Sequence, residues 1–161
     1  MKILIVFYTR TGITRKAAED MAELLKKHVD NVQMEELIDH KDRSGKIGYL
    51  AAAKDAMRKN ETEIDEIKHH PKDFDMIILG TPVWAGTMAP ALRTYLNSYR
   101  KDMHDVSFYC THGGGGASKT FKGIKSILDL SPKATLSLRD KDVKEGKHSS
   151  ELQEFIKTII R

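Results

Sequence analysis

The sequence predicts an α/β protein, a doubly wound five-stranded parallel sheet with strand order 2-1-3-4-5. Three observations carry that prediction. Short apolar runs rich in β-branched and aromatic residues recur at 3–8, 76–80 and 106–110, the composition of strands covered on both faces. Two other runs, 32–36 and 134–138, alternate apolar with polar residues, which suits strands at the edges of a sheet. Between the runs, apolar residues fall at helical spacing. Strands joined by helical crossovers pair in parallel, and right-handed crossovers place helices on both faces.

Taken in order, the first strand (ILIVFY, 3–8) leads to a helix whose inward stripe is Ala18, Met21, Ala22, Leu25 and Val29. The second strand (VQMEE, 32–36) is followed by an irregular piece, 39–72, with a charged, Ala-rich helix near 44–58 and a polar connector ending His69-His70-Pro71. The third strand (MIILG, 76–80) precedes a helix with Met88, Ala91, Leu92, Tyr95, Leu96 and Tyr99 on one face. The fourth (VSFYC, 106–110) is followed by a weaker helical pattern, Phe121, Ile124 and Leu128, and then by the fifth strand (ATLSL, 134–138). Leu152, Phe155, Ile156, Ile159 and Ile160 mark a last helix. Ser150, with Gln153 three residues on, reads as its capping box. With no repeat and no low-complexity segment, residues 1–161 are expected to form one domain.

The composition, 40% hydrophobic and 31% charged, describes a globular protein, and no apolar run approaches the length needed to cross a bilayer, so membrane insertion is not expected. The start, Met1-Lys2 followed by Ile3-Leu4-Ile5-Val6, lacks a small-residue cleavage site and reads as a strand, which predicts a cytoplasmic location. A single cysteine, Cys110, excludes a disulfide within the chain. The net charge of +4 is uneven: residues 1–80 carry 14 Lys/Arg against 15 Asp/Glu, and residues 81–161 carry 13 against 8. No dense basic stripe interleaves with aromatics, so nucleic acid is not expected as a partner.

In the order 2-1-3-4-5 a ligand crevice opens at the carboxyl ends of the first and third strands, where the winding direction reverses. Thr9-Arg10-Thr11-Gly12-Ile13-Thr14 lies there, at the start of the first helix. Unpaired backbone N–H groups at a helix N-terminus favour an anion, hydroxyls donate further bonds to phosphate oxygens, and glycine lets the backbone approach. After the third strand comes Gly80-Thr81-Pro82-Val83-Trp84-Ala85-Gly86-Thr87, in which Trp84 implies a flat aromatic platform. After the fourth comes Cys110-Thr111-His112-Gly113-Gly114-Gly115-Gly116, where four glycines leave backbone amides and carbonyls free to meet a ligand edge.

Together these segments resemble the flavodoxin family, in particular its short single-domain members. Thr9-x-Thr11-Gly12-x-Thr14 is similar to that family's Ser/Thr-x-Thr-Gly-x-Thr phosphate loop, Gly80-Thr81-Pro82-Val83-Trp84-x-Gly86 with Pro90 to its second flavin loop, and Thr111-x-Gly113-Gly114 to its third. The resemblance implies FMN, with its phosphate held by Thr9, Arg10, Thr11, Gly12, Ile13 and Thr14. It places the isoalloxazine against the loop of Thr81, Pro82, Val83, Trp84, Ala85 and Gly86, and the pyrimidine edge on the backbone of Thr111, His112, Gly113 and Gly114. It further implies an electron carrier working between redox partner proteins. The alternative is an FMN-dependent NAD(P)H oxidoreductase acting on quinones or other small acceptors; the short chain, with no part left over for a nicotinamide domain, favours the carrier. Arg10 and Ile13 depart from the commoner occupants of the first loop, and the basic charge departs from the family's acidic surface. The three loops contain no Asp or Glu but do contain Arg10 and His112, with Lys119 close behind, so a neutral to positive surround is expected.

Other chemistries fit less well. GGGGASKT, 113–120, is one residue away from the nucleotide loop G-x-x-x-x-G-K-S/T, but it follows the fourth strand instead of opening the domain. Cys110 has Gly116 where a Cys-x5-Arg phosphatase needs arginine. The first strand ends in Phe7-Tyr8-Thr9, not in the carboxylates that a Mg²⁺-binding receiver domain needs. The histidines lie in scattered polar settings without ligand spacing, so no metal is expected.

Overall fold

In the computed structural model, which describes all 161 residues, Ile3, Leu4, Ile5, Val6 and Phe7 are at most 1% exposed. A strand of such residues needs cover on both faces. The strands are β1 (Lys2–Phe7), β2 (Asn31–Glu36), β3 (Met76–Pro82), β4 (Asp105–His112) and β5 (Thr135–Arg139), all parallel, in the order β2-β1-β3-β4-β5. The helices are α1 (Ile13–Leu25), α2 (Gly45–Met57), α3 (Pro90–Tyr99), α4 (Ala117–Leu128), α5 (Asp140–Lys144) and α6 (Ser149–Ile160).

Two hydrophobic cores of 20 buried residues each lie on opposite sides of the sheet. That equality explains why the central strands have no polar face. One core joins Ile3, Ile5 and Phe7 to α1 and α6; the other joins Leu4 and Val6 to α2, α3 and α4. β5 alternates accessible with buried positions, as its sequence predicts. β2 does not, because Glu35 is buried as well as Val32, its carboxylate accepting from Lys68 N and His69 N, while Met34 is only partly covered.

Register brings Gly80 of β3 beside Tyr109 of β4. A Cβ on Gly80 would lie 2.1 Å from the Tyr109 ring, so only glycine leaves room for the wholly buried phenol. The Tyr109 hydroxyl donates to the Thr14 carbonyl oxygen at 3.2 Å. One missing methyl group thus lets the sheet centre hold the start of α1.

Three expectations change. β3 and β4 each run two residues further than their apolar runs, so Thr81, Pro82, Thr111 and His112 belong to strand ends. The five-residue α5 follows β5 directly and was not expected. The capping box at Ser150 does not form: α6 starts at Ser149, and Ser150 Oγ donates to Glu151. His148, 3% exposed, instead fixes the entry to α6, its Nε2 lying 2.9 Å from Asp20 Oδ2 on α1. A tertiary contact overrides the local capping pattern.

Candidate functional site

The loop after β1 is built around Gly12, which stands before α1 at φ 90°. Its N–H donates to Thr9 Oγ1 at 3.0 Å, and its carbonyl accepts the first bond of the helix, from Lys16 N at 2.9 Å. No side chain caps α1. The amides of Ile13, Thr14 and Arg15 therefore lead the helix without intrahelical acceptors, as an anion site requires. Thr11 is exposed, whereas Thr14 is 2% exposed and its Oγ1 shares a hydrogen bond of 2.8 Å with Thr111 Oγ1. That bond ties the first loop to the third. Arg10 donates to the Arg43 carbonyl oxygen at 3.4 Å and lies over the Tyr49 ring, 5.2 Å from its centroid.

The loop after β3 closes on itself. Trp84 N donates to Thr87 O at 2.9 Å and Thr87 N to Trp84 O at 3.0 Å, around Ala85 at φ 49° and Gly86 at φ 74°. Positive φ at both central residues defines a type I′ turn. Glycine takes that conformation freely and alanine does so at a cost. Thr81 Oγ1 accepts from Ala89 N at 3.0 Å and donates to Pro82 O at 2.8 Å, which clamps the base of the loop. Trp84 is not the open platform its loop suggests. It is 7% exposed, meets Tyr8 edge-to-face at 5.3 Å, and carries the Arg43 guanidinium over its ring at 5.8 Å. Burial and the neighbouring Asp39 push the Tyr8 phenol up to about 12.

Arg43 is itself buried, and its charge is met by Asp39 Oδ2 at 2.6 Å and Asp55 Oδ2 at 2.9 Å. This network holds the segment after β2 against the Trp84 loop.

At the end of β4, His112 Nε2 lies 2.8 Å from Ser137 Oγ, while its Nδ1 is buried without a partner. Gly113 and Gly114 are exposed with open space around them. Gly116, at φ 91°, is pressed against the neighbouring loop: a Cβ there would meet Val83 Cγ1 at 2.7 Å and Gly86 Cα at 3.2 Å. Burial pushes the Cys110 thiol up to about 12, a hydrogen bond with Ser137 opposing it. The thiol is a core group.

The loops enclose a cavity of about 320 Å³, within the range of about 300–1,000 Å³ usual for small-ligand sites. Of the residues singled out from the sequence, Arg10, Thr11, Ile13, Thr14, Pro82, Val83, Trp84, Thr111 and Gly113 line it. Thr9, Gly12, Thr81, Ala85, Gly86, His112 and Gly114 shape the surrounding loops. Tyr49, Asp140 and Lys144 complete the lining and were missed. The end of β5 also opens onto the switch-point edge, and that position was the available signal for Asp140 and Lys144. Burial raises the Asp140 carboxyl, opposed by His112 and Lys144. The loops contribute no carboxylate, but the short helix does, so the lining sets Arg10 and Lys144 against Asp140. A second cavity, of about 380 Å³ beyond β2, sets five carboxylates, Glu19, Glu35, Glu36, Asp65 and Glu66, against Arg15 and Lys68, an excess of negative charge that disfavours a phosphate there.

The sequence model of the flavodoxin family matches residues 2–159. The chain belongs to the flavodoxin family. No curated protein matches it by sequence. Among solved structures, it is similar to a flavoprotein of Bacteroides uniformis (18% identity, TM-score 0.72, 97% of each chain covered). It is also similar to a flavoprotein of Lactobacillus acidophilus in complex with FMN (23% identity, TM-score 0.66, 89% of this chain and 97% of that one). A third is the two-electron reduced flavodoxin of Megasphaera elsdenii (13% identity, TM-score 0.65, 98% of each chain). At these identities the likeness establishes the fold, and the membership rests on the family model.

The donor set suits a flavin mononucleotide. The uncapped α1 N-terminus and the Thr11 hydroxyl can meet a dianionic phosphate, and the Gly113–Gly114 backbone is free for a heterocycle edge. No helix of this flavodoxin-family chain is long and apolar enough to cross a membrane.

Proposed function

We propose that this chain binds FMN noncovalently in the crevice at the carboxyl ends of β1, β3 and β4 and carries electrons between redox partner proteins. The observation that carries the reading is the convergence of Thr11, Thr14, Trp84, Thr111 and Gly113 on one cavity of about 320 Å³. Bound FMN supplies oxidation–reduction chemistry that no side chain in the crevice provides. The protein's part is to bind, orient and partly shield it. The amides of 13–15 and the Thr11 hydroxyl hold the phosphate. Arg10 adds positive charge at the same edge, and the Thr14–Thr111 bond fixes the distance between the first and third loops. The Trp84 turn and the Gly113–Gly114 backbone border the ring system. Membership in the flavodoxin family and the FMN complex of the Lactobacillus acidophilus neighbour support the assignment.

The test is FMN titration of the parent and of Thr11→Ala, with far-UV circular dichroism to confirm the fold. A hydrogen bond to a charged group contributes about 1.5–3 kcal/mol, so binding should weaken at least about tenfold. Equal affinity in the two proteins would remove the phosphate site. Anaerobic mixing with NADH and NADPH then separates carrier from enzyme, because rapid direct bleaching is expected only of the oxidoreductase.

A further inference from the structure

Helix α2 carries its large apolar residues outward. Ile47 is 86% exposed, Leu50 67%, Met57 65% and Tyr49 52%, while the buried positions are Gly48, Ala52 and Ala56. The small residues have a steric cause: a Cβ on Gly48 would lie 2.3 Å from the Arg43 carbonyl carbon. Close packing against the Arg43 segment therefore leaves α2 only small side chains on its inner face. Ile47, Leu50 and Met57 fall on one helix stripe, with Lys54 set between Leu50 and Met57, so the exposed apolar groups form a band crossed by one lysine.

Cations surround and cross the band. Lys46, Lys54, Arg58 and Lys59 are exposed, and the one carboxylate of residues 46–59, Asp55, is turned to Lys41, Arg43 and Asn60. The band is also continuous with the crevice. Arg10 and Tyr49 line the crevice and, together with Lys46 and Leu50, a second hollow of about 570 Å³ against α2. A contiguous apolar patch with a polar rim marks an interaction site.

We propose that the outer face of α2 is the docking surface for a redox protein whose contact patch is apolar at its centre and acidic at its rim. The inference rests on the electron-carrier reading for the partner's redox character, and on α2 itself for the partner's chemistry. A second copy of the chain is disfavoured because a two-fold interface would set the four cations against the same four. An anionic bilayer would satisfy the charges. It would not account for the band running into the crevice, where a donor or acceptor has to come close.

The experiment records amide chemical shifts of the ¹⁵N-labelled protein titrated with a small acidic [2Fe–2S] ferredoxin, with and without added FMN. Expected are shifts clustered at 46–59, and binding that weakens at least about tenfold between low and high salt and again in Lys46→Glu/Lys54→Glu/Arg58→Glu. Leu50→Ser should weaken binding with a smaller change in the salt dependence. Lys54 and Arg58 line neither the crevice nor the hollow shared with Arg10, so FMN affinity should stay within about twofold in Lys54→Glu/Arg58→Glu alone. Shifts centred elsewhere, or binding insensitive to charge reversal, would overturn the proposal. So would a concentration-dependent dimer abolished by Ile47→Asp, or phosphatidylglycerol-vesicle binding that needs Leu50 when the ferredoxin leaves α2 unshifted. If the parent takes up no FMN, the carrier reading falls, and the ferredoxin shifts still decide whether α2 is the docking face.

Discussion

A methyl group at Gly116 has no room in this structure. The residue sits at φ 91°, and an added Cβ would lie 2.7 Å from Val83 Cγ1 and 3.2 Å from Gly86 Cα. Holding alanine in the left-handed region costs about 1–2 kcal/mol, part of which is offset by the lower entropy of the unfolded chain. Overpacking against a β-branched side chain and a backbone atom adds about 1–3 kcal/mol. Gly116→Ala should therefore destabilise the protein by roughly 2–4 kcal/mol. In urea unfolding, with a slope of about 2 kcal/mol/M, the midpoint should fall by about 1–2 M. Val83→Ala removes the closer contact, so the cost of Gly116→Ala should shrink by about 1 kcal/mol or more in that background. Gly113, with nothing within 4 Å and no positive φ, is the control: Gly113→Ala should stay within about 0.5 kcal/mol. Since Gly116 spaces the Trp84 loop from the glycine loop, FMN affinity should fall along with stability. The reasoning fails if Gly116→Ala costs under about 1 kcal/mol, or if its cost is unchanged when Val83 is alanine.

Arg43→Met leaves the carboxylates of Asp39 and Asp55 without their buried cation, which should cost about 3–5 kcal/mol in denaturant unfolding. Burial raises the Asp55 carboxyl, but hydrogen bonds from Lys41, Arg43 and Asn60 outweigh it and hold the group at about 2. A depressed carboxyl stabilises the fold above its unfolded value and loses that contribution as pH falls. Stability of the parent should therefore drop by roughly 2 kcal/mol between about pH 4 and pH 2, and this acid limb should flatten in Arg43→Met. Cys110, wholly buried with its thiol pushed up to about 12, should resist iodoacetamide at pH 8 and react fully in denaturant; rapid labelling of the native protein would contradict the placement.

The sequence by itself determined the sheet. Fully covered strands must read as unbroken apolar runs and edge strands as alternating ones, so 3–8, 76–80 and 106–110 separate from 32–36 and 134–138 without reference to a partner. Helical spacing between them leaves parallel crossovers as the pairing, and the position rule for such sheets locates the crevice beside Thr9–Thr14. Those signals are local periodicities, and local periodicity is written in one segment of chain.

Tertiary structure decided what the neighbours do. Tyr49, Asp140 and Lys144 reach the crevice because α2 and α5 pack at its rim, a juxtaposition across 90 residues of chain that no periodicity records. Trp84 reads as an exposed platform within its own loop, yet Arg43 and Tyr8 come from other elements to cover it. Ser150 has the pattern of a cap, but the buried His148–Asp20 contact starts α6 elsewhere. Thr14 reads as a free hydroxyl until Thr111, 97 residues away, occupies it. Side-chain pairing is a property of three-dimensional proximity, and packing energy outweighs the few tenths to about 1 kcal/mol that local capping and propensity contribute.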